Sequence, residues 1–210
     1  MKIVAHRGVW KKEDEKNTLE SLKRALDMGW GIETDLRDYK GELVISHNIA
    51  DEKCEKAEEL FKYYFEHGHE ESLALNVKAD GIQPLLKKLL EKYQINNYFL
   101  FDMSIPEMVV NKREKLTFFT RHSDIEEKCV LYEDAQGVWL DSFYEENWLT
   151  EEILERHLKD GKKICIISPE IHGYDATDYW DLLKQPRYVV NDNVMLCTDV
   201  PVEAKEFLGL

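Results

Sequence analysis

Positive charge is scarce: 28 basic side chains stand against 42 acidic ones in 210 residues, a formal net charge of −14. A surface this acidic repels a polyanion, so nucleic acid is not an expected partner. A small anionic substrate is still allowed, because one metal ion and a few cations reverse the potential locally. Long apolar runs are missing as well. The stretch at 3–5 gives way to polar residues at His6, far short of a signal-peptide core, and nothing later approaches a membrane span. No stable membrane insertion is expected. Cysteine is sparse, and Cys54, Cys129, Cys165 and Cys197 are scattered without a CxxC pair or other metal-like spacing. Cys165 and Cys197 sit in apolar runs, where a free thiol usually serves as a small core residue. The set reads as reduced thiols in a cytoplasmic protein. Gly/Ser linkers, low-complexity tracts and internal repeats are absent too. What remains, 43% apolar and 11% aromatic residues, describes one globular domain over 1–210.

The chain alternates short β-like runs with amphipathic stretches. Strands are expected at 3–5, 31–36, 73–78, 98–101, 116–120, 137–140, 163–167 and 194–197, with a hairpin around Lys40-Gly41 extending the second into 43–46. Between them, Asn17 is expected to cap a helix, with Glu20 three residues on, Leu19, Leu22 and Leu26 on one face and Gly29 as its stop. A charged helix is expected over 55–66, and Ile82, Leu85, Leu86, Leu89, Leu90 and Tyr93 recur at helical period. Thr150 opens a helix ending at Gly161, another surrounds 178–183, and Pro201 suits the first turn of a last one. Eight strands with intervening helices fit a (β/α)8 TIM-like barrel, although a doubly wound sheet gives the same alternation.

In a barrel, reactive groups gather at the carboxyl ends of the strands, and the uncommon polar residues fall there repeatedly. His6-Arg7-Gly8 follows strand one; Glu33 and Asp35 lie at the end of strand two, and His47-Asn48 closes its hairpin. Asn76 and Lys78 end strand three, Asp102 strand four, Arg121-His122 strand five, Asp141 strand six, Glu170 and His172 strand seven and Thr198-Asp199 strand eight. Glu33 and Asp35, two apart on a strand, share a face. Two converging carboxylates call for a cation between them or a shared proton, and oxygen donors suit Mg²⁺ or Ca²⁺. Histidine titrates near neutral pH, which makes His6 and His47 candidates for general acid and base. Arg7 and Lys78 would supply positive charge to phosphate oxygens.

At this point the sequence resembles the glycerophosphodiester phosphodiesterase family of phospholipase C-like barrels. The likeness runs through Ile3-Val4-Ala5-His6-Arg7-Gly8, Asn17-Thr18, Gly31-Ile32-Glu33-Thr34-Asp35-Leu36 and Gly41-Glu42-Leu43-Val44-Ile45-Ser46-His47. It continues in Leu75-Asn76-Val77-Lys78 and ends in Thr198-Asp199-Val200-Pro201. The resemblance favours the barrel and implies hydrolysis of a glycerophosphodiester to glycerol 3-phosphate and an alcohol. It implies His6 and His47 as the acid-base pair, and Glu33, Asp35 and the position of Asn76 as ligands of a divalent metal, Mg²⁺ or Ca²⁺. Arg7 and Lys78 would be phosphate contacts. Outside the family anchors, Arg121 is a candidate for a second anionic group of the substrate, Glu170 or His172 for its hydroxyls, and Trp139 with Asp141 for a polyol-contacting wall.

Three positions depart from the family pattern. Lys16 stands where a glutamate is usual, Asn48 where an aspartate follows the hairpin histidine, and Asn76 where a third metal carboxylate is usual. An amide oxygen still ligates Ca²⁺ or Mg²⁺ but without charge, and Asp102 and Glu170 are candidates to compensate. The segment at about 49–72 is short, so one acidic helix stands where relatives carry a capping subdomain. His67 and His69 within it are either metal ligands or a solvated helix end. The leading expectation is a metal-dependent phosphodiesterase acting on a small glycerol- or polyol-phosphate diester. A lyase forming a cyclic phosphate and a barrel that binds without turnover are the alternatives.

Overall fold

The computed structural model describes residues 1–210. The chain divides into two compact units, one of Ala5–Phe118 and one of Phe119–Leu210 with Met1–Val4. Strand β1 (Lys2–His6) supplies residues to both.

In the Ala5–Phe118 unit, a 3-10 turn (Glu13–Glu15) precedes α1 (Leu19–Asp27), β2 (Gly31–Tyr39) and β3 (Glu42–Ile45). Next come β4 (Glu55–Lys56), α2 (Ala57–Glu66), β5 (Leu73–Val77), α3 (Gln83–Lys92), β6 (Tyr98–Phe101) and α4 (Ile105–Glu114). β2, β5 and β6 run parallel, while β3 folds back on β2 and β4 on β3. Every residue of β5 is buried, Asn76 included, as expected of a parallel strand covered on both faces.

Helix α1 buries Leu22, Ala25 and Leu26 at the i, i+3, i+4 spacing of one helical face. Its cap corrects the expectation at Asn17. Thr18 is the N-cap, its hydroxyl accepting from the Ser21 amide and the Ser21 hydroxyl accepting from the Thr18 amide. That reciprocal box satisfies both ends of the first turn and leaves Asn17, at φ 61°, to turn inward. Two other boundaries also move. The helix expected over 55–66 begins at Ala57, because Glu55 and Lys56 pair with Ile45 and Val44 as a short edge strand. Helix α4 has no counterpart in the expected elements. Its start is marked by the Ser104 cap on Glu107 and by Pro106 in the first turn.

The second unit contains β7 (Phe119–Ser123), β8 (Gly137–Asp141), α5 (Glu151–Lys159), β9 (Lys163–Ile167) and a 3-10 turn (Pro169–His172). It continues with α6 (Thr177–Leu183), α7 (Pro186–Val189), β10 (Val194–Thr198) and α8 (Pro201–Leu208). β7, β8, β9 and β10 pair in that order, all parallel. The strand expected at 116–120 is displaced: the ladder starts at Phe119 and takes in Arg121, His122 and Ser123. No helix in the chain is long and apolar enough to cross a membrane.

Candidate active site

The candidate chemistry of the Ala5–Phe118 unit starts where β1 ends. Arg7 and Gly8 both take positive φ, 56° and 84°, and turn the chain toward α1. A Cβ on Gly8 would lie 2.4 Å from the Ser21 carbonyl carbon, so only glycine allows this approach. The helix start is tied down by Arg7, whose carbonyl accepts from the Asn17 amide at 2.9 Å and the Ser21 hydroxyl at 3.1 Å. His6, Arg7 and the Asn17 loop are thereby held beside β2.

On β2, Glu33 and Asp35 are 2% and 0% exposed. The Asp35 carboxylate receives the Asn17 amide group (Nδ2 to Oδ2, 3.0 Å), with Arg7 Nε 3.3 Å from Oδ2 and Lys78 Nζ 3.4 Å from Oδ1. Glu33 Oε2 accepts from the Arg7 amide at 3.3 Å and lies 3.8 Å from His6 Nε2. The two acids therefore share their cations unequally: Arg7 and Lys78 sit against Asp35. Burial, then the Asp35 charge, push the Glu33 carboxyl up to about 7 against the weaker opposing pull of His6, Arg7 and Lys78,. Near neutral pH this site holds a proton or invites a cation.

Asp35 pairs in register with Asn76 of β5, so both side chains issue from one face. Asn76 Nδ2 donates to Asp102 Oδ2 at 3.2 Å, which points its oxygen away from that carboxylate. Asn76 Oδ1 is buried without a hydrogen bond, and Asp35 Oδ1 has only the Lys78 ammonium, 3.4 Å away. Buried acceptors rarely stay unfilled. Glu33, Asp35 and Asn76 offer only oxygen atoms, the donor type a hard divalent cation takes.

His47 is exposed just beyond β3. The neighbouring Ser46 amide donates to the Asp35 carbonyl at 3.0 Å, which ties the hairpin to the strand carrying both acids. The His47 ring bonds Asn48 Oδ1 at 3.2 Å, and its carbonyl accepts from the Arg37 guanidinium. Lys16 lies over the Trp10 ring and pairs with Glu13. His67 stacks on Tyr63, and His69 lies between Asp27 and Glu71, 3.6 and 3.3 Å away. These contacts account for both histidines as a helix end.

Arg121, Trp139 and Glu170 belong to the other unit. Arg121 pairs with Glu126 and packs over the Phe143 ring; Trp139 is buried on β8, in register with Arg121. Glu170 Oε1 accepts from the Thr198 hydroxyl and the Asp199 amide, while Oε2 is buried without a hydrogen bond. His172 Nε2 meets Asp141 Oδ1 at 2.8 Å, and that bond holds the imidazole above its usual range.

Asn17, expected as the cap of α1, instead faces the acids of β2. Its side chain joins Asp35 and the Thr34 hydroxyl, and the available signal was the adjacent threonine, an equally good cap.

No protein-family model matches the sequence, and no curated protein matches it. Solved structures do. A phosphodiesterase from Oleispira antarctica, in complex with the product sn-glycerol-3-phosphate, matches with a TM-score of 0.72 and 15% identity over 100% of this chain and 97% of that one. A glycerophosphodiester phosphodiesterase from Agrobacterium tumefaciens matches at 0.69 and 15%, covering 100% and 99%. One from Parabacteroides distasonis matches at 0.66 and 16%, covering 99% and 96%. That likeness shows the fold: this chain has the α/β fold of the glycerophosphodiester phosphodiesterases, the (β/α)8 TIM-like class.

Proposed function

We propose that this protein is a metal-dependent phosphodiesterase that hydrolyses a glycerophosphodiester, or a similar polyol-phosphate diester, to glycerol 3-phosphate and an alcohol. The observation that carries the reading is the convergence of His6, Arg7, Glu33, Asp35 and Lys78 within 3.3–3.8 Å contacts on a fold shared with such enzymes. The product bound to the Oleispira protein supports the substrate class.

Glu33, Asp35 and Asn76 would hold the metal, Mg²⁺ or Ca²⁺, which when bound supplies Lewis-acid stabilisation of charge on phosphate oxygens. Arg7 and Lys78 are 24% and 22% exposed at the side chain, accessible enough to meet an entering phosphate, Arg7 through a fork and Lys78 as a point charge. His6 and His47 divide the proton transfers: one accepts a proton from the attacking water or hydroxyl, and the other donates to the departing alkoxide. Four free cysteines fit a reducing cytoplasm.

A second reading, a phosphodiester-binding protein without turnover, draws on Asp35. Its charge is already met by two cations, and Asn76 adds none. Phosphorus NMR of a glycerophosphodiester incubated with the full chain and Mg²⁺ or Ca²⁺ separates the cases. Growth of a monoester resonance supports hydrolysis. Unchanged diester, with line broadening from binding, supports the second reading.

A further inference from the structure

A second cluster of metal-ligating side chains lies in the unit formed by Phe119–Leu210, with no residue in common with the acids of β2. We propose that His122, Cys129 and His157 form a binding site for Zn²⁺ or a similar borderline divalent cation. His122 projects from β7, His157 from α5, and Cys129 from the irregular segment between β7 and β8. One ligand atom from each lies within 4.8 Å of the other two. Zinc–sulfur and zinc–nitrogen bonds at tetrahedral angles place ligand atoms roughly 3.3–3.6 Å apart, so the set closes on an ion with side-chain shifts of about 1 Å or less. Two imidazoles and a thiol form a nitrogen–sulfur set that selects zinc over magnesium or calcium. Three protein ligands leave a fourth position for water.

The hydrogen-bond chain behind the cluster fixes its protons. The Tyr132 hydroxyl has one hydrogen, donated to Asp160 Oδ2 at 2.9 Å. Its oxygen therefore accepts from His157 Nδ1–H at 2.8 Å, leaving a lone pair on His157 Nε2. That nitrogen faces His122 Nδ1 at 3.0 Å, so one proton lies between the two rings. A metal-ligating histidine ordinarily has its other nitrogen oriented by a carboxylate or carbonyl; here Asp160 does so through Tyr132. Burial holds both imidazoles below their usual range, His157 at about 4, so the rings are neutral and able to ligate at pH 7. The Cys129 thiol is pushed up by burial and stays protonated until a cation displaces its hydrogen. Binding then balances as follows. The ion enters between His122 Nδ1 and His157 Nε2, the bridging proton moves to His122 Nε2, and the Cys129 thiol releases one proton to solvent.

The test is titration of the chelator-stripped full chain with Co²⁺, followed by displacement with Zn²⁺. The expected result is thiolate-to-cobalt charge-transfer absorption saturating at one ion per chain and abolished by Zn²⁺. Sulfur makes the readout specific, because Glu33, Asp35 and Asn76 offer only oxygen; Glu33→Gln keeps the band. Cys129→Ser, a conservative change in a loop, removes the band and weakens zinc binding at least about 100-fold, and Tyr132→Phe weakens it about 10-fold. Absence of a thiolate band in the unsubstituted chain overturns the site and leaves a buried hydrogen-bonded histidine pair. Persistence of the band in Cys129→Ser overturns it equally.

Discussion

Asn17 and Asp35 are locked together: the Asn17 amide group donates to Asp35 Oδ2 at 3.0 Å, while its oxygen takes the Thr34 hydroxyl at 2.6 Å and the Asp35 amide at 3.4 Å. One side chain thus orients a buried carboxylate and satisfies two donors on the strand that carries it. Asn17→Ala strips the Thr34 hydroxyl of its acceptor and leaves Asp35 Oδ2 with Arg7 alone. Leaving buried polar groups unpaired predicts a loss of about 2 kcal/mol in unfolding free energy, read by urea denaturation. An unchanged midpoint would mean that water replaces the amide and that Asn17 does not position Asp35.

Gly8 and Gly29 separate two kinds of glycine requirement. Both have positive φ, 84° and 75°, but a Cβ on Gly8 meets the Ser21 backbone at 2.4 Å and one on Gly29 meets nothing within 4 Å. Gly29→Ala costs only the left-handed conformation, about 1 kcal/mol. Gly8→Ala adds overpacking against backbone and costs about 3 kcal/mol. Equal denaturation midpoints for the two variants would refute the close approach of α1 to the turn after β1.

Most of the strands could be read from their apolar runs. Tyr98–Phe101 and Lys163–Ile167 are observed as expected, because a continuous apolar run bounded by polar residues leaves little freedom. The fifth strand shifted because Leu116 and Phe118 carry the apolar signal, while the ladder itself contains Arg121 and His122. Helix α4 was illegible for a related reason. It buries Glu107, Met108 and Asn111 and exposes Ile105 and Val109, so no apolar stripe marks it. At the site, Glu33 and Asp35 share a face by strand alternation alone. That Arg7 and Lys78 rest on Asp35, or that His122 meets His157 across 35 residues, depends on tertiary packing that no local spacing encodes.

Glu33 makes stability pH-dependent in a defined direction. The unfolded chain ionises this carboxyl near its ordinary 4.5, and the folded protein holds the proton up to about 7. The folded state binds more protons between those values, so this group's contribution is present below pH 4.5 and is lost as pH rises through 7. In chelator-treated protein, Glu33→Gln flattens that decline and raises the melting temperature at pH 8 relative to the unsubstituted chain. A lower melting temperature at pH 8 would place a stabilising charge on Glu33 and contradict the upward shift of its carboxyl.

Asn76→Asp tests the third ligand position. A carboxylate beside Asp35 and Asp102 adds repulsion in the absence of metal and charge toward a bound one. The variant therefore melts at a lower temperature in EDTA and binds Mg²⁺ or Ca²⁺ at least about 10-fold more tightly by calorimetry, a gain of about 1.4 kcal/mol. Unchanged affinity would remove Asn76 from the ligand set.

Whether the chain turns over its substrate is read from release of glycerol 3-phosphate from a panel of glycerophosphodiesters, with added Mg²⁺, Ca²⁺ or EDTA, beside His6→Ala. Metal-dependent hydrolysis requires that turnover disappear in EDTA and fall at least about 100-fold in His6→Ala, the scale of a lost general acid or base. Turnover indifferent to EDTA and to His6→Ala would contradict it.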